Sequence, residues 1–294
     1  MDDGARFDVD AQELEPTAAR APATTERAEF LAMAQAAGVH GVYVANDLTA
    51  DRSGRTLAAR GLAFYGAQGP RALAWFGARG NLIVLRADGA RLHAGELARA
   101  IADFDAPWRI ALGPPDVIAA IAPRLLVAPS ILRRQLYYTA DQTAVAARPV
   151  DDRVRPASLD DVDALIEAAL DLNRADLALD PERVSRRWLK QTTRERVRAR
   201  TAWVLGPSGA PYSKLDLGSQ GTAGAVIEGV FTLPEHRGRG HARALVHAVA
   251  SRLLAVGRPV VCLHVAENNA SARACYTHAG LRESMTVSLL LKAT

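Results

Sequence analysis

The chain has 294 residues, of which 49% are apolar and 23% are charged, and its formal net charge is +4 at pH 7. Such a chain can bury the core of one large domain or two ordinary ones, and its charge balance argues against a nucleic-acid partner. The acidic start argues against a signal peptide, and the lack of any run of about 20 apolar residues argues against a membrane partner. Both cysteines lie in apolar segments, as is typical of free thiols in a reducing compartment, so we expect a cytoplasmic protein.

The first half of the chain predicts an α/β unit that follows an N-terminal arm. Residues 1–25 are rich in Ala, Glu, Asp, Pro and Thr and show little apolar periodicity, so we expect a disordered arm. An apolar run, Val42-Tyr43-Val44, lies between the first predicted helix and the first predicted strand. Apolar spacing and Gly or Pro breaks predict helices at 26–37, 95–104 and 116–122, and strands at 62–65, 72–76, 81–85, 109–112 and 135–139.

The second half of the chain begins after a polar, proline-containing stretch. This stretch, residues 143–152, predicts a boundary between a first domain at 26–147 and a second domain at 148–294. Ser158 is placed to cap a helix that has an apolar face. A further helix is predicted at 181–194, and strands are predicted at 201–205, 212–217 and 224–233, with 218–221 as the turn between the last two strands.

A glycine- and arginine-rich turn near residue 240 carries the clearest chemical signal. The apolar strand residues 230–233 lead into it, and apolar residues spaced three and four apart after Ala242 predict that a helix follows directly. Free N–H groups at a helix start, together with the helix dipole, attract anions. Gly238 and Gly240 let the backbone approach a bulky ligand, and Arg237 and Arg239 supply forked donors for phosphate oxygens. The turn therefore predicts a phosphate cradle, and we expect its ligand to be a diphosphate.

The spacing within the turn distinguishes between kinds of diphosphate ligand. A dinucleotide fingerprint needs a third glycine where Arg243 stands, and the Gly-Lys-Ser/Thr of a mononucleotide loop is absent. The pattern that fits is Arg-x-x-Gly-x-Ala, formed by Arg237, Gly240 and Ala242. This pattern resembles the coenzyme A pyrophosphate loop of the GNAT acetyltransferase superfamily, and residues 229–240 as a whole resemble one branch of that superfamily.

A second block of residues strengthens the resemblance. After a buried apolar strand at 259–265 come Asn269, Ala272, Tyr276 and Gly280, in the order that is usual in the superfamily. The resemblance implies an α/β fold, with a mixed α+β sheet, made of two GNAT-like domains. The N-terminal domain would be degenerate, because residues 85–93 lack the loop motif. An unrelated α/β domain in the first half remains the alternative.

The resemblance also implies roles for individual residues of the second half. Acetyl-CoA would be the co-substrate, and no metal is expected. The coenzyme would be held by strand residues Phe231, Thr232 and Leu233 and by loop residues Arg237, Gly238, Arg239, Gly240, His241 and Ala242. Asn269 matches a residue near the coenzyme arm, with Asn268 as the alternative register. Tyr276 matches the general acid that protonates the departing thiolate.

The general base has two candidates. Glu228 lies on the strand before the loop, on the side of Val230 and Thr232 by alternation, and a carboxylate there can take the amine proton or bind a cationic acceptor. His264 on the next strand is the other candidate. The sequence thus predicts an N-acetyltransferase that passes an acetyl or short acyl group to an amine by direct attack in a ternary complex. The rival is a non-catalytic acyl-CoA sensor, the acceptor is undefined, and a homodimer stays open.

Overall fold

The computed structural model describes residues 18–125, 129–177 and 180–292. Most of the expected N-terminal arm, residues 1–17, lies outside the described residues. Residues 18–20, which were expected to belong to the arm, form a short strand that pairs antiparallel with residues 63–65. No helix among the described residues is long and apolar enough to cross a membrane.

The helices and strands predicted in the first half lie close to their predicted positions, and the structure adds one short strand and three helices that were not predicted. The strands are β1 (Ala18–Arg20), β2 (Gly61–Gly66), β3 (Gly69–Phe76), β4 (Asn81–Arg86), β5 (Ile110–Gly113) and β6 (Pro129–Ala140). The helices are α1 (Arg27–Ala36), α2 (Val42–Ala50), α3 (Arg55–Arg60), α4 (Ala94–Asp103), α5 (Pro115–Ile121) and α6 (Gln142–Ala146).

The second half repeats the same general order of elements. The strands are β7 (Val154–Pro156), β8 (Ala202–Leu205), β9 (Ser213–Gly221), β10 (Gly224–Thr232), β11 (Val261–Ala266) and β12 (Leu281–Lys292). The helices are α7 (Val162–Leu177), α8 (Arg186–Arg198), α9 (His241–Ala255) and α10 (Ala270–His278). Ser158, which was expected to cap a helix, stands before the short helical turn Leu159–Asp161 that leads into α7, and its N–H and Oγ both donate to Asp161 Oδ2.

The strands form one continuous mixed sheet, in the order β1-β2-β3-β4-β5-β12-β6-β11-β10-β9-β8-β7. In each half, one parallel pair is connected through a helix: β4 to β5 through α4, and β10 to β11 through α9. Helices cover both faces of the sheet and bury its apolar side chains. The expected fold class, an α/β protein with a mixed sheet, is confirmed.

The two halves exchange their last strands. β12 pairs antiparallel with β5 of the first half, for example at Leu289 and Leu112. β6 pairs antiparallel with β11 of the second half, for example at Tyr138 and Leu263. β6 and β12 also pair with each other, so each half of the sheet contains one strand that the other half supplies.

The core crosses the boundary between the halves as well. Val226 of β10 and Cys262 of β11 belong to the apolar cluster that α1 and α2 cover, so first-half helices pack on second-half strands. This packing brings α2 against β9 and β10, the two strands that lead to the glycine- and arginine-rich loop.

The predicted turn at 218–221 is wrong. These residues belong to β9, and the chain reverses at Thr222 and Ala223. Gly218 is the extra residue of a bulge, because Val226 faces Ser219 whereas the next residue, Ile227, faces Leu217. A polar segment with two glycines has the composition of a turn, but here the sheet absorbs it as an irregular strand.

Candidate active site

The loop before α9 has the backbone geometry of an anion site. Gly238 and Gly240 adopt φ values of +75° and +76°, in the left-handed region that favours glycine. Residues 238–243 include the first turn of α9, and their N–H groups have no acceptor among the described residues. Nothing lies within 4 Å of the position that a Cβ at Gly238 would occupy. The loop therefore offers a row of unused donors at the positive end of a 15-residue helix.

Two side chains support this loop. Arg237 donates from Nε to the carbonyl oxygen of Thr232 at 3.1 Å, and its guanidinium lies 5.4 Å from the Phe231 ring centroid. The His236 ring lies 4.2 Å from the Tyr212 ring between centroids, and His236 Nδ1 is buried without a hydrogen-bond partner among the described residues. A buried polar atom without a partner, next to N–H groups without acceptors, is typical of a site where a polar ligand makes the missing hydrogen bonds.

A cleft opens next to the loop because β10 and β11 diverge. The two strands pair only at Ala225 with Val261 and at Val226 with Cys262. Beyond that point β10 bulges at Gly229, which has a φ of +58°, and β11 turns toward α10. The resulting cleft has a volume of about 1420 Å³, and it is lined by the loop, the end of β10, the end of β11, α10 and parts of the first half.

The strand residues named for coenzyme binding do not all face this cleft. Phe231 and Thr232 line it. Leu233 does not: it lines a separate small cavity beside Tyr212, and its N–H group already donates to the Tyr212 carbonyl oxygen at 3.0 Å. The structure therefore brings together the loop and two of the three strand residues, and it leaves Leu233 outside the cleft.

Asn269 and Tyr276 both line the cleft from α10. Asn269 caps this helix, and its Oδ1 accepts from the N–H of Ala272 at 3.1 Å. Tyr276 is buried beside Tyr138, with ring centroids 5.9 Å apart, and its hydroxyl has no hydrogen-bond partner among the described residues. Burial raises the pKa of Tyr276, so the phenol keeps its proton at neutral pH.

Glu228 lies at the other side of the cleft and is held by the first half of the chain. The hydroxyl of Tyr43, on α2, donates to its Oε1. The carboxylate lies across Gly218 so closely that a Cβ there would overlap it. Burial raises the pKa of Glu228 from 4.5 to about 7. A carboxylate whose pKa lies near neutral pH suits a general base.

The expected alternation of side chains along β10 is interrupted after Glu228. The bulge at Gly229 shifts the register between Glu228 and Phe231, so these residues do not simply alternate between the two faces of the sheet. Glu228, Val230, Phe231 and Thr232 all border the cleft instead.

The second base candidate, His264, is also in the cleft but has a different environment. Its Nδ1 lies 3.4 Å from Gln135 Oε1, and its ring packs against Tyr137 with centroids 5.4 Å apart. Burial, with nearby His40 and Arg133, lowers the pKa of His264 to about 4. It is therefore neutral at pH 7 but a weaker base than Glu228.

Sequence reasoning missed the residues that the first half contributes to the cleft, chiefly Tyr43, Asp47, Trp75 and Arg79. Tyr43 is separated from its partner Glu228 by 185 residues, so no local spacing links them. The one sequence feature that could have indicated Tyr43 is its position as an aromatic residue with a hydroxyl group inside the apolar run 42–44. Within the described residues no group of three or more His, Cys, Asp or Glu side chains is arranged to hold a metal ion.

The site thus combines a parallel strand pair that diverges after Val226 with a loop of free N–H donors at the start of the following helix. Residues 194–281 match the acetyltransferase (GNAT) family, which supports assigning this part of the chain to the GNAT superfamily. Members of this family carry out acyl transfer. A comparison with curated protein sequences gave no match.

Solved structures share the fold over nearly the full chain. A GCN5-related N-acetyltransferase from Sphaerobacter thermophilus has 18% identity and a TM-score of 0.58, covering 95% of this chain and 96% of its own. A Drosophila protein has 14% identity and a TM-score of 0.59, covering 93% and 98%. A GNAT-family acetyltransferase from Colwellia psychrerythraea has 13% identity and a TM-score of 0.53, covering 95% and 100%. At these identities the likeness concerns the fold.

Proposed function

We propose that the chain transfers an acetyl or short acyl group from coenzyme A to an amine, by direct attack in a ternary complex. The observation that carries this proposal is a single cleft that joins an unused row of N–H donors, at residues 238–243, to a carboxylate with a raised pKa, Glu228. The first feature suits a pyrophosphate, and the second suits removal of a proton from an ammonium group.

The loop would hold the coenzyme pyrophosphate. The N–H groups of residues 238–243 can donate to anionic oxygens without breaking any existing protein hydrogen bond. Gly238 leaves open space where a side chain would stand, and Arg239 and Arg243 line the same part of the cleft. The unpaired edge of β10 after Val226 leaves backbone groups free for the amide-containing pantetheine arm and for the acyl carbonyl.

The proton transfers would be divided between two residues. Glu228 would take the proton of the acceptor amine, since its carboxylate is about half ionised at neutral pH and has one donor, Tyr43, to hold its orientation. Tyr276 would return a proton to the thiolate, because its phenol lines the cleft and is protonated at neutral pH, although burial raises its pKa and makes it a weaker acid. The open cleft around Glu228 leaves room for an acceptor, which favours the enzyme over a non-catalytic sensor.

The first half would not bind a second coenzyme. Its parallel pair β4 and β5 stays close at the corresponding end, where a Cβ at Gly113 would lie 3.0 Å from Val84 Cβ. The Val84 carbonyl oxygen is 3.1 Å from Nε2 of the buried His40. The space between β4 and β5 that corresponds to the groove between β10 and β11 is therefore filled by protein atoms.

Calorimetry with acetyl-CoA, NAD and ATP tests the proposal. We expect one acetyl-CoA site per chain, and at 100 times the dissociation constant we expect about 2.7 kcal/mol of added stability. Thiol release from acetyl-CoA with a broad panel of amines tests turnover. Stabilisation by NAD but not by acetyl-CoA would contradict the coenzyme assignment, and two equivalent sites would contradict the role given to the first half. Tight acetyl-CoA binding without turnover of any amine would favour the sensor.

A further inference from the structure

One wall of the cleft comes from the first half and carries an arginine without a counter-ion. Arg79 lies in the turn between β3 and β4 and reaches across to β9, where its guanidinium donates to the Gly218 carbonyl oxygen at 3.1 Å. No carboxylate among the described residues lies within ion-pair distance of Arg79, whereas Arg133 in the same cleft is paired with Asp176 at 2.8 Å. Arg79 is exposed to solvent at the edge of the cleft, and partial burial together with the nearby Arg196 lowers its pKa.

The charges next to Arg79 do not balance it. Lys214 and Arg196 share one carboxylate oxygen, Asp216 Oδ2, at 2.8 and 3.0 Å. Lys214 and Asp216 are both buried, so this cluster adds one net positive charge to a poorly hydrated wall of the cleft. Asp216 stands opposite Glu228 in the β9–β10 register, which places the cluster beside the proposed base.

Besides Asp216 and the proposed base Glu228, this wall carries the carboxylate of Asp47, which is a weak counter-ion. Asp47 accepts a hydrogen bond from Trp75 Nε1 at 3.1 Å. Burial raises the pKa of Asp47, although this hydrogen bond and the charges of Arg60 and Arg79 oppose the rise. Arg60 also lines the cleft, so the wall keeps an excess of positive charge even when Asp47 is ionised.

From this charge distribution we infer that the acceptor amine carries an anionic group, and that Arg79 binds this group while Glu228 faces the amine. The inference rests on the proposed acyl transfer. Arg79 and Glu228 contact the same residue, Gly218, one at its carbonyl oxygen and the other over its Cα. One small molecule that carries both an amine and an anion can therefore reach both. An arginine is suited to this role because its fork can bind two oxygens of a carboxylate or phosphate.

This subsite separates classes of acceptor. Amino acids and other amines with a carboxylate or phosphate match the wall, and polycationic amines are repelled by Arg79, Arg196 and Lys214. Replacing the anion of a good acceptor by a neutral amide should therefore lower its use, because the charge-assisted hydrogen bonds to Arg79 are lost.

Matched acceptors test the inference directly. The rate of thiol release from acetyl-CoA is measured with the common α-amino acids, with their carboxamides, and with O-phosphoethanolamine and ethanolamine. We expect kcat/KM for the anionic member of an accepted pair to exceed that of its neutral partner by about tenfold or more. Arg79→Gln should remove this preference mainly by raising KM for the anionic member, and Arg79→Lys should restore part of it. Arg91→Gln, an exposed arginine outside the cleft, is the charge-matched control and should keep the preference.

The outcomes separate this inference from the proposed function. Acetyl-CoA binding together with equal use of anionic and neutral acceptors would overturn the anion subsite only. An equal loss for both members in Arg79→Gln would also overturn it, because that result indicates a structural role. A preference confined to O-phosphoethanolamine would assign the anion as phosphate, and one confined to amino acids would assign it as carboxylate. Failure of the wild type to bind acetyl-CoA would overturn the proposed function, and the acceptor subsite with it.

Discussion

Substituting Glu228 by Gln is the sharpest test of the proposed chemistry. Gln has nearly the same shape, still accepts a hydrogen bond from Tyr43, and cannot ionise. A pKa raised from 4.5 to about 7 means that the folded protein disfavours the ionised carboxylate. This shift corresponds to at most about 3 kcal/mol, since one pKa unit is worth about 1.4 kcal/mol. The side chain keeps partial contact with solvent, so the measured figure should be lower.

The sign of the effect on stability follows from the direction of the shift. A carboxyl group with a raised pKa stabilises the folded state fully below its unfolded value of 4.5, and this contribution is lost as pH rises through about 7. Glu228→Gln should therefore match the wild type in stability near pH 4.5 and exceed it by up to about 3 kcal/mol above pH 8. Chemical denaturation of both proteins across this range measures the difference.

Although Glu228→Gln should raise stability, it should lower activity. In the wild type, kcat/KM for a weakly basic amine should rise with pH through about 7, because the base must be ionised to take a proton. In Glu228→Gln this rise of kcat/KM with pH, the limb near pH 7, should disappear. At pH 8, kcat/KM should fall by about 100-fold or more. A limb near pH 7 that persists in the variant, or a stability difference that is constant with pH, would refute the assignment of Glu228 as the base.

Three further substitutions separate the parts of the site. Tyr276→Phe should lower kcat by about 100-fold while calorimetry shows almost unchanged acetyl-CoA affinity, and an unchanged kcat would move the acid role to another group. Arg237→Ala should weaken acetyl-CoA binding by about tenfold or more with little change in kcat at saturation, and equal affinity would show that the loop arginine does not contact the coenzyme. Tyr43→Phe removes a donor to the ionised Glu228, so the kinetic limb near pH 7 should move up by about one unit. A limb that stays in place would mean that the Tyr43 hydroxyl does not act on the base.

Local patterns in the sequence were sufficient to find one side of the site. The loop around Gly240 and the helix from Asn269 to Tyr276 are defined by spacing within about ten residues, and the structure places both in one cleft. Alternation and breaks also located most strands, because buried strands bounded by Gly or Pro have short and clear patterns. The roles given to these residues remain predictions.

The other side of the site depends on contacts that no local pattern describes. Tyr43 reaches Glu228 only because α2 of the first half packs on β9 and β10 of the second. The bulges at Gly218 and Gly229 break the period of two on which the alternation argument rests. Leu233 lies outside the cleft, and its N–H group pairs with the Tyr212 carbonyl oxygen.

The exchanged strands have a consequence for how the protein is made. Leu289 of β12 pairs with Leu112 of β5, so the first half of the sheet lacks a neighbour for β5 until almost the whole chain has been synthesised. During synthesis, β5 and β6 therefore keep unpaired strand edges until β12 is made. Unpaired strand edges favour aggregation. Contacts across such sequence separations also slow folding, because the intervening chain must be ordered before they form. We expect a nascent chain truncated before residue 281 to depend on chaperones and to regain solubility once β12 is supplied.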